Sequence, residues 1–381
     1  MHVGSPLEGP PPHLRPSPAS GNNGRAVQSG KSLAGHPYRR HVSSVSRILA
    51  ATAQLEVNGH RGIAHKANVP RLHPSTIPRM RTVAIVGVPS SAGSYAAGQD
   101  QAPAALRSAG LIGALRAVGL EVHDEGDLPL QVWHPDRTSP RAQNVDQVTE
   151  CVGNLITRLV PLLSSDQILL VLGGNCTIAL GVVAALRRVA TDPVGLLYVD
   201  RHYDMNTPES TTDGALDWMG MAHALDLPGC LDVLTDVLGP RPLLEPRQVA
   251  WLGVEDSPAT EWERQQARRL GLHVTSSDDL AFDPIKSAVE SLRYLPRGPL
   301  AVHIDVDVLD FIDSPLAENT DGRNAGPTLD QVANALEVAA RDERFRALSI
   351  GELNPTRSAG DPDAIPRFIA TVARTMACAP G

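Results

Sequence analysis

An α/β fold with a parallel sheet covered on both faces is predicted by three features of the 381-residue chain. From Val83 onward, short runs that are apolar at nearly every position alternate with longer stretches of helical spacing. Strands apolar on both sides belong in sheets covered twice, the habit of parallel α/β proteins. Ligand-type residues gather just past the carboxyl ends of these runs, where such sheets place their sites.

The elements follow in order. Val83 to Val88 reads as a buried strand, followed by the loop Pro89 to Gly93. Ala102 to Val118 has the spacing of one helix, with Pro103 in its first turn. Leu120 to Val122 is a short strand, Val145 to Leu163 a helix, Ile168 to Leu172 a strand, and a helix runs on to Arg188. A strand at 194 to 199 precedes a long loop and helical stretches. Then come strand Val249 to Leu252, helix Thr260 to Leu270, strand His273 to Thr275 and helix Pro284 to Leu295. A strand from Leu300, helix Leu329 to Arg341, strand Leu348 to Ile350 and helix Ala364 to Met376 complete the chain. There is no internal repeat and no linker after residue 80, so 81–381 is expected to be one domain.

Residues 1–80 differ in kind. They are rich in Pro, Gly, Ser and His with no sustained periodicity, and are expected to be a disordered basic extension. Arg and Ser with few acids also fit a transit peptide, and a translation start assigned upstream of Met80 fits equally. Residues 1 to 82 hold eleven Lys or Arg against two acids, so the total of −8 leaves about −17 for the remainder. That balance excludes nucleic-acid binding by the domain on bulk charge. Four cysteines, none in CxxC spacing, exclude a disulfide framework and suit a reducing, cytoplasmic setting. The uncharged stretch from Ile168 to Leu186 is interrupted by Gly173-Gly174-Asn175-Cys176-Thr177, and neither half reaches the roughly 20 residues of a membrane span.

The chemistry is concentrated in two places. The apolar run Leu196 to Val199 discharges into Asp200, His202 and Asp204, ligand types at every second position, hence on one face of an extended strand. Leu300 to Ile304 similarly leads to Asp305 and Asp307. Acids crowded at a strand end lose hydration and repel one another, which a divalent cation relieves. About five ligands from two strands suggest two metals. Plainer readings remain open: Asp200 to Asp204 also suits a turn or cap, Asp305 and Asp307 a solvated edge, Glu352 a capped turn, and Cys176 a buried thiol away from any metal. His303 reads as a packed core histidine, and His223 and Cys230 as structural. The glycines of Gly173-Gly174 lack the spacing of a dinucleotide fingerprint.

Four motifs together resemble the arginase and agmatinase (ureohydrolase) family. Asp200-Arg201-His202-Tyr203-Asp204 is similar to its Asp-Ala-His-x-Asp, and Asp305-Val306-Asp307 to its second Asp-x-Asp. Gly173-Gly174-Asn175-Cys176-Thr177 stands where the family has Gly-Gly-Asp-His-Ser, and Glu352-Leu353-Asn354-Pro355 where it has Glu-Val-Asn-Pro. The resemblance spans about residues 83 to 378. It implies a three-layer αβα fold with a mostly parallel, roughly eight-stranded sheet, and a homo-oligomer, trimer or hexamer. It also implies two Mn²⁺ ions: Asp200 and Asp305 bridge them, Asp204 and Cys176 complete one position, and His202 and Asp307 the other.

On that resemblance, water activated between the cations attacks a guanidine or amidine carbon, Asp204 relays its proton, and Glu352 pairs with the small cationic substrate head. A thiol in place of histidine at Cys176 admits zinc or iron. Asn206-Thr207-Pro208 keeps the start of the arginase substrate loop, whereas Asp213, Ala215 and Asp217 stand where it has Ser, Asn and a His proton shuttle, or, with an insertion around Trp218, Met219 stands for that His; either way the imidazole is absent. Asn206, Asp213 and Arg323 are therefore the candidate contacts for the rest of the substrate, Arg323 for a carboxylate. The expected activity is hydrolysis of a linear guanidine or amidine C–N bond, arginase- or agmatinase-like and releasing urea. The alternatives are hydrolysis of another guanidino or formimino acid, and a non-catalytic relative that binds a metal or small molecule.

Overall fold

The computed structural model describes residues 81–165, 167–318 and 325–380; the expected 1–80 extension and Arg323 lie outside them. Eight strands form one sheet: β1 (Thr82–Gly87), β2 (Glu121–Asp127), β3 (Ile168–Leu172), β4 (Gly195–Val199), β5 (Val249–Val254), β6 (His273–Ser276), β7 (Leu300–Asp305) and β8 (Phe345–Gly351). Their order across the sheet is β2-β1-β3-β8-β7-β4-β5-β6. All seven pairings are parallel. The three-layer α/β arrangement is therefore present, with the sheet wholly rather than mostly parallel.

Alternation within the strands builds two cores. Val83, Ile85, Leu170, Leu172, Leu197, Val199, Val302 and Ile304 face one apolar cluster, while Ala84, Val86, Leu169, Val171, Leu196, Tyr198 and Ala301 face the other. The first is closed by α1 (Ala102–Ser108), α2 (Leu111–Ala117), α8 (Ser277–Phe282), α9 (Pro284–Tyr294), α10 (Leu329–Ala340) and α11 (Ala364–Ala377). The second is closed by α3 (Val145–Leu163), α4 (Ile178–Val189), α5 (Gly220–Ala224), α6 (Asp232–Leu238) and α7 (Glu261–Leu270). Successive side chains of a strand point to opposite faces, so an all-apolar run needs a helical layer on each side.

Several expectations are corrected. The single helix from Ala102 to Val118 is two, because Gly110 adopts a left-handed φ of 98° between them, which ends α1 and starts α2. The strand at Leu120 to Val122 extends to Asp127: its exposed, acidic sequence is that of a sheet edge, which apolar patterning does not reveal. The short helix α8 was not anticipated; Ser276 caps it by accepting from Asp279 N at 3.1 Å.

Strand order positions the site. β3, β8, β7 and β4 are adjacent in the sheet although β7 and β8 come far later in the chain than β3 and β4. Their carboxyl ends carry the four motifs side by side.

Candidate metal centre and active site

The first acid-rich loop is aimed by its turns. β4 ends at Val199, so Asp200, His202 and Asp204 follow the strand and do not alternate along it. Asp200 Oδ1 accepts from His202 N at 2.6 Å, which curls the chain back over the strand end. Asp204 has a φ of 54°, and its carbonyl accepts from Met221 N at 2.9 Å and Ala222 N at 3.2 Å. The first turn of α5 thus holds a left-handed non-glycine residue in place, the kind of strain that collects at functional sites. Likewise only Asp305 belongs to β7; Asp307 lies in a 3₁₀ turn, Val306–Val308, capped by Asp305 Oδ1 accepting from Asp307 N at 2.8 Å. The expectation of carboxylates sharing one strand face is corrected for both loops: tight turns, not the pleat, bring them together.

The other two motifs close on the same point. Gly173 and Gly174, with φ of 77° and 82°, turn the chain out of β3, and a Cβ on Gly173 would stand 2.6 Å from Pro103 Cδ. Cys176 N then donates to Glu352 Oε1 at 3.0 Å, and Cys176 Sγ donates to Asp305 Oδ2 at 3.1 Å. Glu352 is a second left-handed non-glycine residue, φ 62°, fixed by its N–H to Gly174 O at 3.0 Å, and its Oε2 accepts from Gln99 Nε2 at 2.9 Å.

Two groups of donor atoms result: Asp200, His202, Asp305 and Asp307 in one, and Cys176, Asp200 and Asp204 in the other, each within 4.8 Å of one another. Asp200 is common to both. His202 Nδ1 lies 3.1 Å from Asp307 Oδ2 and 3.5 Å from Asp200 Oδ1. Burial is near complete: Asp200 is 0 % exposed, Asp204 2 %, Asp305 3 % and Asp307 4 %.

Charge is the difficulty of this arrangement. Burial, then the neighbouring carboxylates, push Asp204 and Asp305 well above the ordinary carboxylate range and raise Asp200. Burial, then Asp217, does the same to Glu352. Burial alone would lower His202, but Asp307 and Asp200 outweigh it and hold the imidazole well above its usual value. Two buried oxygens, Asp200 Oδ2 and Asp307 Oδ1, have no hydrogen-bond donor at all. Unsatisfied buried carboxylate oxygens are costly, and a divalent cation satisfies them. Oxygen and imidazole donors fit hard or borderline divalent ions, and the thiol of Cys176 adds one softer donor.

His303 is wholly buried and lies outside both groups. Its Nδ1 is 2.9 Å from Ser349 Oγ, its Nε2 3.3 Å from Cys176 Sγ, and its ring stacks on Tyr198 at 5.0 Å between centroids. Burial lowers it to about 3. Tyr198 in turn donates from its hydroxyl to Asp204 Oδ2. His223 is also buried, with Nδ1 2.8 Å from Met219 O and Nε2 accepting from Leu231 N at 3.0 Å.

A cavity of about 360 Å³ opens over the cluster, lined among others by Cys176, His202, Asp204, Asp305, Asp307 and Glu352. Asp213 and Asp217 also line it; burial raises Asp217 to about 7. Asn206 stands apart. It is buried with Oδ1 accepting from Ser210 and Thr260 at 3.0 and 2.9 Å, and it is not among the lining residues. Sequence reasoning passed over Tyr95, Arg201, Trp218 and Pro258, which complete the wall. The one available signal was Arg201, a charged residue inside the Asp-x-His motif.

The sequence matches the model of the arginase family over residues 81–378. Human arginase-1 is 29 % identical over 308 residues, covering 79 % of this chain and 93 % of that protein. The arginase of Bacillus caldovelox is 28 % identical over 283 residues, covering 72 % and 92 %. The solved structure of that Bacillus caldovelox enzyme superposes with a TM-score of 0.68 at 24 % identity, over 78 % of this chain and 98 % of the other. Formimidoylglutamase of Bacillus subtilis gives 0.57 at 17 % identity, over 78 % and 86 %. With the family pattern covering nearly all of the described domain and an eight-stranded parallel sheet to carry it, the chain belongs to the arginase family.

Proposed function

We propose that the protein is a two-cation hydrolase of a linear guanidine or amidine C–N bond, releasing urea or a related small amide. Family membership supports a hydrolase acting on C–N bonds. The observation that carries the finer reading is the convergence of His202, Asp204, Asp305, Asp307, Cys176 and Glu352 on one cavity from four adjacent strands, with the wholly buried Asp200 shared by both donor groups.

His202 and Asp307 would hold one cation and Cys176 and Asp204 the other, with Asp200 and Asp305 between them. Manganese suits the oxygen-rich donors, and zinc or iron would suit the sulfur. When bound, two such cations supply a water-derived nucleophile at neutral pH. The chain's own groups do the rest. Tyr198 fixes one oxygen of Asp204, leaving Oδ1 to take the proton given up by water. Glu352, oriented by Gln99 and Cys176 N, faces the planar cationic head, which a carboxylate pairs through parallel hydrogen bonds. Burial of Asp204 and Glu352 strengthens both contacts. A homo-oligomer and a cytoplasmic location accompany this reading; no helix among the described residues is long and apolar enough to cross a membrane.

Urea release from a panel of guanidino compounds, and formamide release from formimino compounds, with added Mn²⁺ tests the proposal, and Asp204→Asn abolishes both while the fold is kept. Full turnover by that variant, or no product from any compound with metal bound, overturns it. A second reading, a non-catalytic relative, is favoured by one observation: His202 is the only imidazole lining the cavity among the described residues. Metal analysis of purified protein separates the two, since about two ions per chain are expected of the hydrolase.

A further inference from the structure

The cavity is lined by six acids, yet one wall is a guanidinium. Arg201 lines it, is 5 % exposed, and is the only Lys or Arg among the described lining residues. Its backbone is tied to the loop after β5, where Glu255 N donates to Arg201 O at 2.8 Å. Nη2 lies 3.4 Å from Glu255 Oε2, a loose contact with a carboxylate whose side chain is 27 % exposed. Nε is shielded from solvent and has no hydrogen-bond acceptor. A buried N–H of a charged group is rarely left so, and each such case calls for an explanation.

We propose that Arg201 anchors a carboxylate at the far end of the substrate, so that the site takes a guanidino or amidino carboxylic acid in preference to an alkyl- or aminoalkylguanidine. The inference rests on the hydrolytic reading for the class of compound, and on Arg201 alone for the carboxylate. Nε and one Nη form the planar fork that grips a carboxylate through two parallel bonds, and Nε is the donor left open. The acids at the base meet the cationic head and the guanidinium meets the anionic tail, so opposite charges are matched along the substrate. A terminal ammonium would instead be driven toward Arg201, a repulsion that rejects the diamine-like competitor. Asp213, exposed and lining the same cavity, would suit an α-ammonium beside the carboxylate, so amino acids are admitted as readily as simple ω-guanidino acids.

The test separates binding from turnover. Calorimetry on the full-length Mn²⁺-loaded protein compares amines that are inert in the site: 4-aminobutyrate and 5-aminopentanoate against butylamine and 1,4-diaminobutane. At least one amino acid should bind roughly 10- to 100-fold tighter than either carboxylate-free amine, the range expected of a charge-assisted pair. Arg201→Ala should reduce that preference to about threefold or less, and Arg201→Lys should retain part of it, at matched metal content. Arg201→Gln serves where the alanine variant does not fold. No preference for the carboxylate, including no binding of the amino acids, overturns the inference, as does a preference that survives Arg201→Ala. Urea release from 4-guanidinobutyrate, 5-guanidinopentanoate, arginine, agmatine and butylguanidine is read in parallel. If none yields urea, and no formimino acid yields formamide, while the binding preference depends on Arg201, the hydrolytic reading falls and the carboxylate anchor stands.

Discussion

Divalent cations should stabilise this protein more than any single contact does, because among the described residues His202 is the only cationic group paired with the acid cluster. Asp200, Asp204, Asp305 and Asp307 are each 4 % exposed or less, and two of their oxygens lack donors. A ligand at 100 times its dissociation constant stabilises the folded state by about 2.7 kcal/mol, so two independent ions give roughly 5 kcal/mol. At about 2 °C per kcal/mol, the lower end for larger domains, the melting temperature should rise by roughly 10 °C when stripped protein is titrated with Mn²⁺. Asp200 belongs to both donor groups, so Asp200→Asn should remove more than half of that rise, whereas a variant at one group alone should leave about half. Scanning calorimetry of stripped and loaded wild type and Asp200→Asn, with metal content measured on the same samples, reads both quantities. A melting temperature unmoved by divalent cations, or an equal rise in Asp200→Asn, would refute the reasoning that these acids are held together by metal.

Two further outcomes follow from particular residues. Gly351→Ala would place a Cβ 3.0 Å from His303 Cε1 and 3.3 Å from Cys176 Sγ, so it should cost about 1–3 kcal/mol by overpacking and reduce metal content along with it; chemical denaturation and metal analysis check the pair. Burial pushes Asp217 up from the ordinary 3.8 to about 7, so the folded state binds the extra proton between those values and stability contributed there is lost as pH rises. Metal-free wild type should therefore weaken relative to Asp217→Asn from about pH 4 up to about pH 7 and hold a constant difference above it; a difference that does not change between pH 5 and pH 8 would reject the assignment.

The elements with two buried faces were legible from the chain because burial leaves a mark on every position. β3, β4 and β7 are buried at every position and apolar at nearly all of them, His303 and Asp305 of β7 excepted, and the 3.6-residue spacing of α3 and α10 carries their one-sided packing. β2 escaped in part because an edge strand with exposed acids has no such mark, and the break at Gly110 depends on a backbone angle that spacing does not encode. The site residues were legible as residue types: Asp, His and Cys at the ends of apolar runs have few uses other than ligands or caps.

What the sequence determined by itself was the identity of the donors and the side of the sheet on which they gather, because a parallel strand always delivers its carboxyl end to the same edge. What only the tertiary structure decided was their meeting. β8 and β7 insert between β3 and β4, and that order, set by long-range packing, places Cys176, Glu352, Asp305 and Asp200 on four neighbouring strands. The aim of each side chain was likewise decided by contacts across the fold: α5 pins Asp204, Gly174 pins Glu352, and the loop after β5 ties down the backbone of Arg201, which lines the cavity between Asp200 and His202 in the chain. Such contacts join residues distant in the chain, and local spacing carries no trace of them.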